Sequence, residues 1–182
     1  MQFHPLDIPG VVLVEPTVFG DDRGFFLESW ERAKFARADI DVDFVQDNHS
    51  RSVQYTLRGL HYQIQQPQGK LVRVVSGRVF DVVVDLRRSS PSFGKWVGAE
   101  LSQDNKHMLW VPPGLAHGFV VLSEAADFVY KCTDYYAPHA ERCIRWDDAQ
   151  LGIQWKLPAG AAPLLSARDS AGVPFAQAEY FP

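Results

Sequence analysis

Lys70 to Leu86 reads KLVRVVSGRVFDVVVDL, two runs of Val, Leu and Phe separated by Ser76-Gly77. Short runs rich in β-branched and aromatic residues, bounded by turn residues, are strand signals, and Ser76-Gly77 reads as a tight hairpin between them. The same texture extends in both directions. Val11–Glu15, Gly24–Ser29, Phe44–Ser52 and Arg58–Ile64 precede this stretch. Lys95–Leu101, His107–Val111, Gly118–Leu122, Asp127–Thr133 and Cys143–Trp146 follow it, separated by Ser-Pro, Asp-Asn and Pro-Pro-Gly steps. One segment has helical character: Ser29 as N-cap, Glu31 in the first turn, and Trp30, Ala33, Phe35 and Ala36 as apolar surface to about Ala38. Many short strands with almost no helix predict an all-β sandwich or barrel.

The chain of 182 residues has the length of one domain. We expect residues 1–182 to form a single unit: an N-terminal arm and helix to about residue 42, a β core over about 43–146, and a C-terminal arm over about 147–182. The arm is punctuated by Pro158, Gly160, Pro163 and Pro174 and reads as irregular. With 46% hydrophobic and 13% aromatic residues the chain can bury a large core. A net charge of -4 argues against general nucleic-acid binding but not against a phosphorylated small molecule. Two cysteines, Cys132 and Cys143, are no disulfide framework. Without a signal peptide or a membrane-length apolar run, a cytoplasmic location is expected.

Four stretches carry chemistry. In Leu57-Arg58-Gly59-Leu60-His61-Tyr62-Gln63, alternation places Gly59, His61 and Gln63 on one face. Alone, such a histidine is more often a hydrogen-bonded core residue than a base. In Pro112-Pro113-Gly114-Leu115-Ala116-His117, a turn delivers His117 to the next strand. In Phe128-Val129-Tyr130-Lys131-Cys132, Tyr130 and Cys132 share a face and Lys131 opposes them; alone, a buried tyrosine is more often core. In Ser166-Ala167-Arg168-Asp169, the acid and base would ordinarily be solvated surface, unless Asp169 folds back to orient a cavity histidine.

Pro-x-Gly-x-x-His resembles the second conserved motif of the cupin superfamily. Its first motif (Gly, spacer, His-x-His, Glu, six residues, Gly) has a counterpart in His61-Tyr62-Gln63, Lys70 and Gly77. Gln63 replaces the second histidine and Lys70 stands where the carboxylate belongs, so no metal is expected: an ammonium repels a divalent ion. A fixed lysine can instead stabilise an enolate. No glycine-rich dinucleotide fingerprint is present, and no redox cofactor is expected.

Taken together these residues resemble the dTDP-4-dehydrorhamnose 3,5-epimerase family. The resemblance begins at Asp21-Asp22-Arg23-Gly24-Phe25-Phe26-Leu27-Glu28 and Gln46-Asp47-Asn48-His49-Ser50. It continues through Leu57–Tyr62, Gly69–Val72, Gly77–Asp85, Gly114–Phe119 and Tyr130–Tyr136. It implies a cupin-type double-stranded β-helix, or jelly-roll sandwich, with short helices in its N- and C-terminal appendages. The implied activity is inversion of C3 and C5 of dTDP-4-dehydro-6-deoxy-D-glucose by a homodimer. By position His61 matches the catalytic base, Asp169 its carboxylate, Tyr130 the acid on the opposite ring face and Lys70 the lysine near the C4 oxygen. Arg23, Glu28, Gln46, Asn48, Arg58, His117, Glu141 and Arg168 match positions that hold the dTDP-sugar, some of them from the other subunit. Three alternatives stay open at this level: a mono-epimerase acting on one carbon, a metal-dependent cupin, and a non-catalytic sugar-nucleotide binder.

Overall fold

A computed structural model describes all 182 residues. In chain order its strands begin with β1 (Gln2–Pro5), β2 (Val12–Glu15), β3 (Val18–Asp21) and β4 (Gly24–Leu27). After helix α1 (Arg32–Ala36) come β5 (Gln46–Val53), β6 (Leu57–Gln63), β7 (Lys70–Ser76), β8 (Arg78–Asp85) and β9 (Trp96–Ser102). Then follow β10 (Met108–Val111), β11 (Leu115–Val121), β12 (Ala125–Cys132) and β13 (Glu141–Cys143), and finally a helical turn α2 (Ala167–Ser170). Two antiparallel sheets form the body: β1-β2-β10-β7-β12-β5 and β13-β6-β11-β8-β9. Consecutive strands alternate between them over much of the chain, the pattern of a jelly-roll sandwich of the cupin type.

Strand period explains what each residue does. On β7, Val72 and Val74 point between the sheets while Leu71 packs outward under α1 with Phe35 and Met108. On β8, Val79 and Val83 face inward, and Phe80, Val82 and Val84 face out beneath Trp155 and Phe175 of the C-terminal arm. Both faces of β8 are therefore dry, which is why its sequence is a near-continuous apolar run instead of an alternating one. Asp81 belongs to the inward set.

Several expectations are corrected. Ser76-Gly77 is no hairpin: β7 and β8 lie in different sheets, and Gly77 (φ 76°) turns the chain between them. A Cβ there would stand 2.0 Å from the Ala125 carbonyl oxygen, so glycine is required. The N-cap of α1 is Glu31, whose carboxylate accepts from the N–H groups of Ala33 and Lys34; Ser29 lies outside the helix. Strands β1 and β3 carry no alternation strong enough to be read, yet β1 pairs with β2 from Gln2↔Glu15 to Pro5↔Val12. Gln2–Pro5 and Val12–Glu15 are thus part of a sheet and not of an arm. Only β3–β4 stands apart, a hairpin with Val18, Phe19, Phe25 and Phe26 exposed.

Candidate active site

A cavity of about 360 Å³ opens between the sheets. The five-stranded sheet contributes Arg58, His61 and His117, and the six-stranded sheet contributes Gln46, Asn48, Lys70 and Tyr130. Glu141 and Arg168 close one side. His61 and Tyr130 thus approach the space from opposite walls. Strict alternation on β6 fails at Gly59, where the β11 pairing shifts between His117 and Phe119. The slip turns Arg58 into the cavity along with His61, while Leu57, Leu60 and Tyr62 pack outward. Gln63 is spent on backbone: its amide nitrogen donates to the carbonyls of Gln66 and Tyr135, and its oxygen accepts from Ala137 N–H.

Asp169 folds back from the C-terminal arm onto β6. Ser166-x-x-Asp169 is a capping box at the start of α2: Ser166 Oγ accepts from Asp169 N–H at 3.2 Å and Asp169 Oδ2 from Ser166 N–H at 3.3 Å, and Oδ2 also accepts from the Ser166 hydroxyl at 2.6 Å. Oδ1 accepts from Gly59 N–H at 2.9 Å and lies 2.8 Å from His61 Nε2. That last contact is off the ring N–H axis, so Nε2 is buried against a carboxylate without an aligned hydrogen bond. Nδ1 is left as the ring nitrogen available to a ligand. Burial alone would raise the Asp169 pKa. The contacts from His61, Ser166 and Gly59 N–H outweigh it and hold the carboxyl far below its usual range, ionised beside the imidazole.

Tyr130 presents a hydroxyl engaged in no hydrogen bond within the chain, and burial, aided by Cys132, pushes its pKa up, so it stays a protonated phenol. Lys70 sits deeper. Burial draws its pKa down, while Cys132, Glu141 and Asp81 pull it back toward the charged form. Sequence reasoning missed Asp81. It is fully buried and receives His117 Nε2 at 2.9 Å on both carboxylate oxygens. Burial raises its pKa, against the pull of His117 and Lys70. An acid inside the apolar run of β8 was the available signal. Tyr136 was missed as well: its hydroxyl donates to Glu141 at 2.8 Å and accepts from Arg168 at 3.2 Å, and Arg168 also pairs with Glu141. At the rim these three form one linked group.

Arg23 and Glu28 are not brought to this cavity. Arg23 sits on the β3–β4 turn, 89% exposed and paired with Asp21 at 2.6 Å, and Glu28 pairs with Lys34 at 2.7 Å. At the four positions of the cupin ligand frame, His61 lies against Asp169, His117 bonds Asp81, Gln63 bonds backbone and the fourth residue is Lys70.

A double-stranded β-helix whose cavity sets a carboxylate-backed histidine against a phenol, with a lysine in its lining, defines a cupin-fold isomerase. Residues 5–177 match the family model described as dTDP-4-dehydrorhamnose 3,5-epimerase, and the chain belongs to that family. It is 61% identical over 183 residues to the dTDP-4-dehydrorhamnose 3,5-epimerase of Pseudomonas aeruginosa, covering 100% of both chains. Among solved structures it resembles a dTDP-6-deoxy-D-glucose-3,5-epimerase from Legionella pneumophila, in complex with dTDP-4-keto-L-rhamnose. The TM-score is 0.94 at 49% identity, covering 98% of this chain and 94% of that one. A 3'-monoepimerase from Streptomyces bikiniensis in complex with dTDP-quinovose is more distant, at 35% identity and a TM-score of 0.88, with 95% and 87% covered.

Proposed function

We propose that this chain converts dTDP-4-dehydro-6-deoxy-D-glucose to dTDP-4-dehydro-L-rhamnose by inverting C3 and C5. The observation that carries the reading is the placement of His61 and Tyr130 on opposite sheets of one cavity, with Lys70 lining the same space from the Tyr130 sheet. Protons on the carbons flanking a ketone become removable when the developing enolate is stabilised. A unit charge about 4 Å from the C4 oxygen, at an effective dielectric of ~20, is worth about 4 kcal/mol. Lys70 supplies that charge. His61, oriented by Asp169, removes the proton; Tyr130 delivers one from the other face; the sequence repeats at the second carbon. Gln46, Asn48, Arg58, His117, Glu141 and Arg168 hold the sugar nucleotide. The steps need no redox cofactor and no metal, and exhaustive EDTA treatment should leave turnover unchanged. The direct test is proton NMR of the 4-keto sugar nucleotide in deuterated water. Deuterium entering at both C3 and C5 with inversion supports the reading, whereas exchange at one carbon alone would make this a mono-epimerase.

The working form is proposed to be a homodimer in which the β3–β4 hairpin brings Arg23, and with it Glu28, to the other subunit's cavity. The exposed Phe19, Phe25 and Phe26 support this, since three aromatic side chains on one small hairpin call for a cover. Subunit mixing tests it. Arg23→Ala and His61→Asn proteins, each nearly inactive, should regain activity after unfolding and refolding together. A mixed dimer has one cavity with both His61 and Arg23, so random pairing restores about a quarter of wild-type turnover. No recovery in a mixture verified to contain heterodimer would place Arg23 in its own subunit's site. A cytoplasmic location is also proposed: both thiols are free, as expected in a reducing compartment, and no helix is long and apolar enough to cross a membrane.

A further inference from the structure

Against His61, and not among the residues that line the cavity, stand two side chains that complete a group the reaction does not use as a whole. Cys143 of β13 is the direct cross-strand partner of His61 on β6. Asp169 arrives from the C-terminal arm, and the ligand-type atoms of His61, Cys143 and Asp169 all lie within 4.8 Å of one another. Two of the three lack a well-formed hydrogen bond. His61 Nε2 makes no aligned hydrogen bond, and the Cys143 thiol makes only long contacts, 3.7 Å to the Gly59 carbonyl and 3.6 Å to that of Ile144. Asp169 brings a full negative charge, and the Cys143 side chain is half-buried instead of sealed.

We propose that His61, Cys143 and Asp169 form an inhibitory site for Zn²⁺ or a similarly thiophilic divalent ion, which disables the base by occupying its rear nitrogen. This rests on the reading of His61 as the base. One imidazole, one thiolate and one carboxylate, with water in the fourth position, is a zinc-type donor set; an all-oxygen ion such as Mg²⁺ has no use for the sulfur. Tetrahedral zinc at about 2.0–2.3 Å from each ligand needs ligand atoms about 3.3–3.8 Å apart. A separation as long as 4.8 Å must therefore close by about 1 Å, while His61 Nε2 and Asp169 Oδ1, 2.8 Å apart, must open by about 0.5 Å. The cupin ligand positions share only His61 with this site.

The proton balance explains the inhibition. For His61 to serve as the base, its resting proton sits on Nε2 beside the Asp169 carboxylate, and Nδ1 is the bare nitrogen. A metal ion on Nε2 takes its lone pair, and the ring proton moves to Nδ1. The Cys143 thiol gives up its proton to water as the Zn–S bond forms. Each ion bound releases one proton, no electron is transferred, and the nitrogen that must accept the sugar's proton is already protonated. The thiol is otherwise firmly protonated: burial, with Asp169 and Glu141 adding to it and Arg168 opposing, pushes it up to about 12.

Zinc titration of the wild-type and Cys143→Ser proteins tests the site, with Cys143→Ala as a second variant. Wild-type turnover should fall, through kcat more than KM, and return fully with EDTA. Both variants should turn over normally without metal. They should need about 10–100-fold more zinc for the same inhibition, at least what loss of an outer-shell partner costs a metal site. Co²⁺ gives a readout independent of turnover: the wild-type protein should show the intense near-ultraviolet sulfur-to-cobalt band, and the variants should lack it. Equal zinc sensitivity in the variants, a wild-type enzyme indifferent to zinc, or bound Co²⁺ without the band would each overturn the proposal. A cobalt band without inhibition would likewise overturn the inhibitory role, and would count against His61 as the base.

Discussion

His61→Asn should reduce epimerisation, and the wash-out of the C3 and C5 protons into deuterated water, to background. Asparagine keeps a polar side chain on β6 but has no nitrogen that accepts a proton near neutral pH. Loss of a general base costs about 10²–10⁴-fold, and here both half-reactions begin with the same group, so no bypass exists through the other carbon. The fold should survive. Asp169 loses one contact but still accepts from the Ser166 hydroxyl and Gly59 N–H, so its buried charge is not orphaned. Affinity for dTDP should change little, because Arg58, Asn48 and Arg168 are untouched. Single-turnover NMR together with dTDP binding separates the two effects. Proton exchange at the wild-type rate would remove His61 from the role of base.

Tyr130→Phe should separate two events that the wild-type enzyme couples. The ring remains packed beside Phe128, at 6.0 Å between centroids, and only the hydroxyl is lost. That hydroxyl has no partner within the chain, and burial keeps it protonated, so its removal costs chemistry and not packing. His61 can still form the enolate and return deuterium from its own side. Exchange should therefore survive, while net inversion drops by about 10²–10⁴-fold. If both fell by the same factor, Tyr130 would be holding the sugar in place instead of reprotonating it. Measuring deuterium content and product configuration in the same sample distinguishes the two outcomes.

Apart from β1 and β3, local sequence determined where the main strands run and which residue types line them. The runs of β7 and β8 announce themselves because β-branched side chains crowd a two-residue period, and Lys70 falls on the inward face with Val72 and Val74 by that period alone. The spacing of His61, Lys70, Gly77 and His117 carries the cupin frame with a lysine in place of a ligand. Ser166-x-x-Asp169 even contains its own capping box. Which sheet a strand joins was not legible, because pairing is decided by partners far along the chain: Gly77 ends a strand in either case, and only packing makes it a crossing between sheets instead of a hairpin. The same holds for the site. Arg58 enters the cavity through a slip in register against β11, which no period within β6 encodes. Asp81 looks like an interruption of a hydrophobic run until His117, 36 residues away, is laid across it. Cys143 comes to face His61 only through the β13–β6 register. Residue chemistry and strand period are local properties, written in order along the chain; register, crossing and the meeting of charges in a desolvated cavity are properties of contacts between distant segments, and the tertiary structure alone decides them.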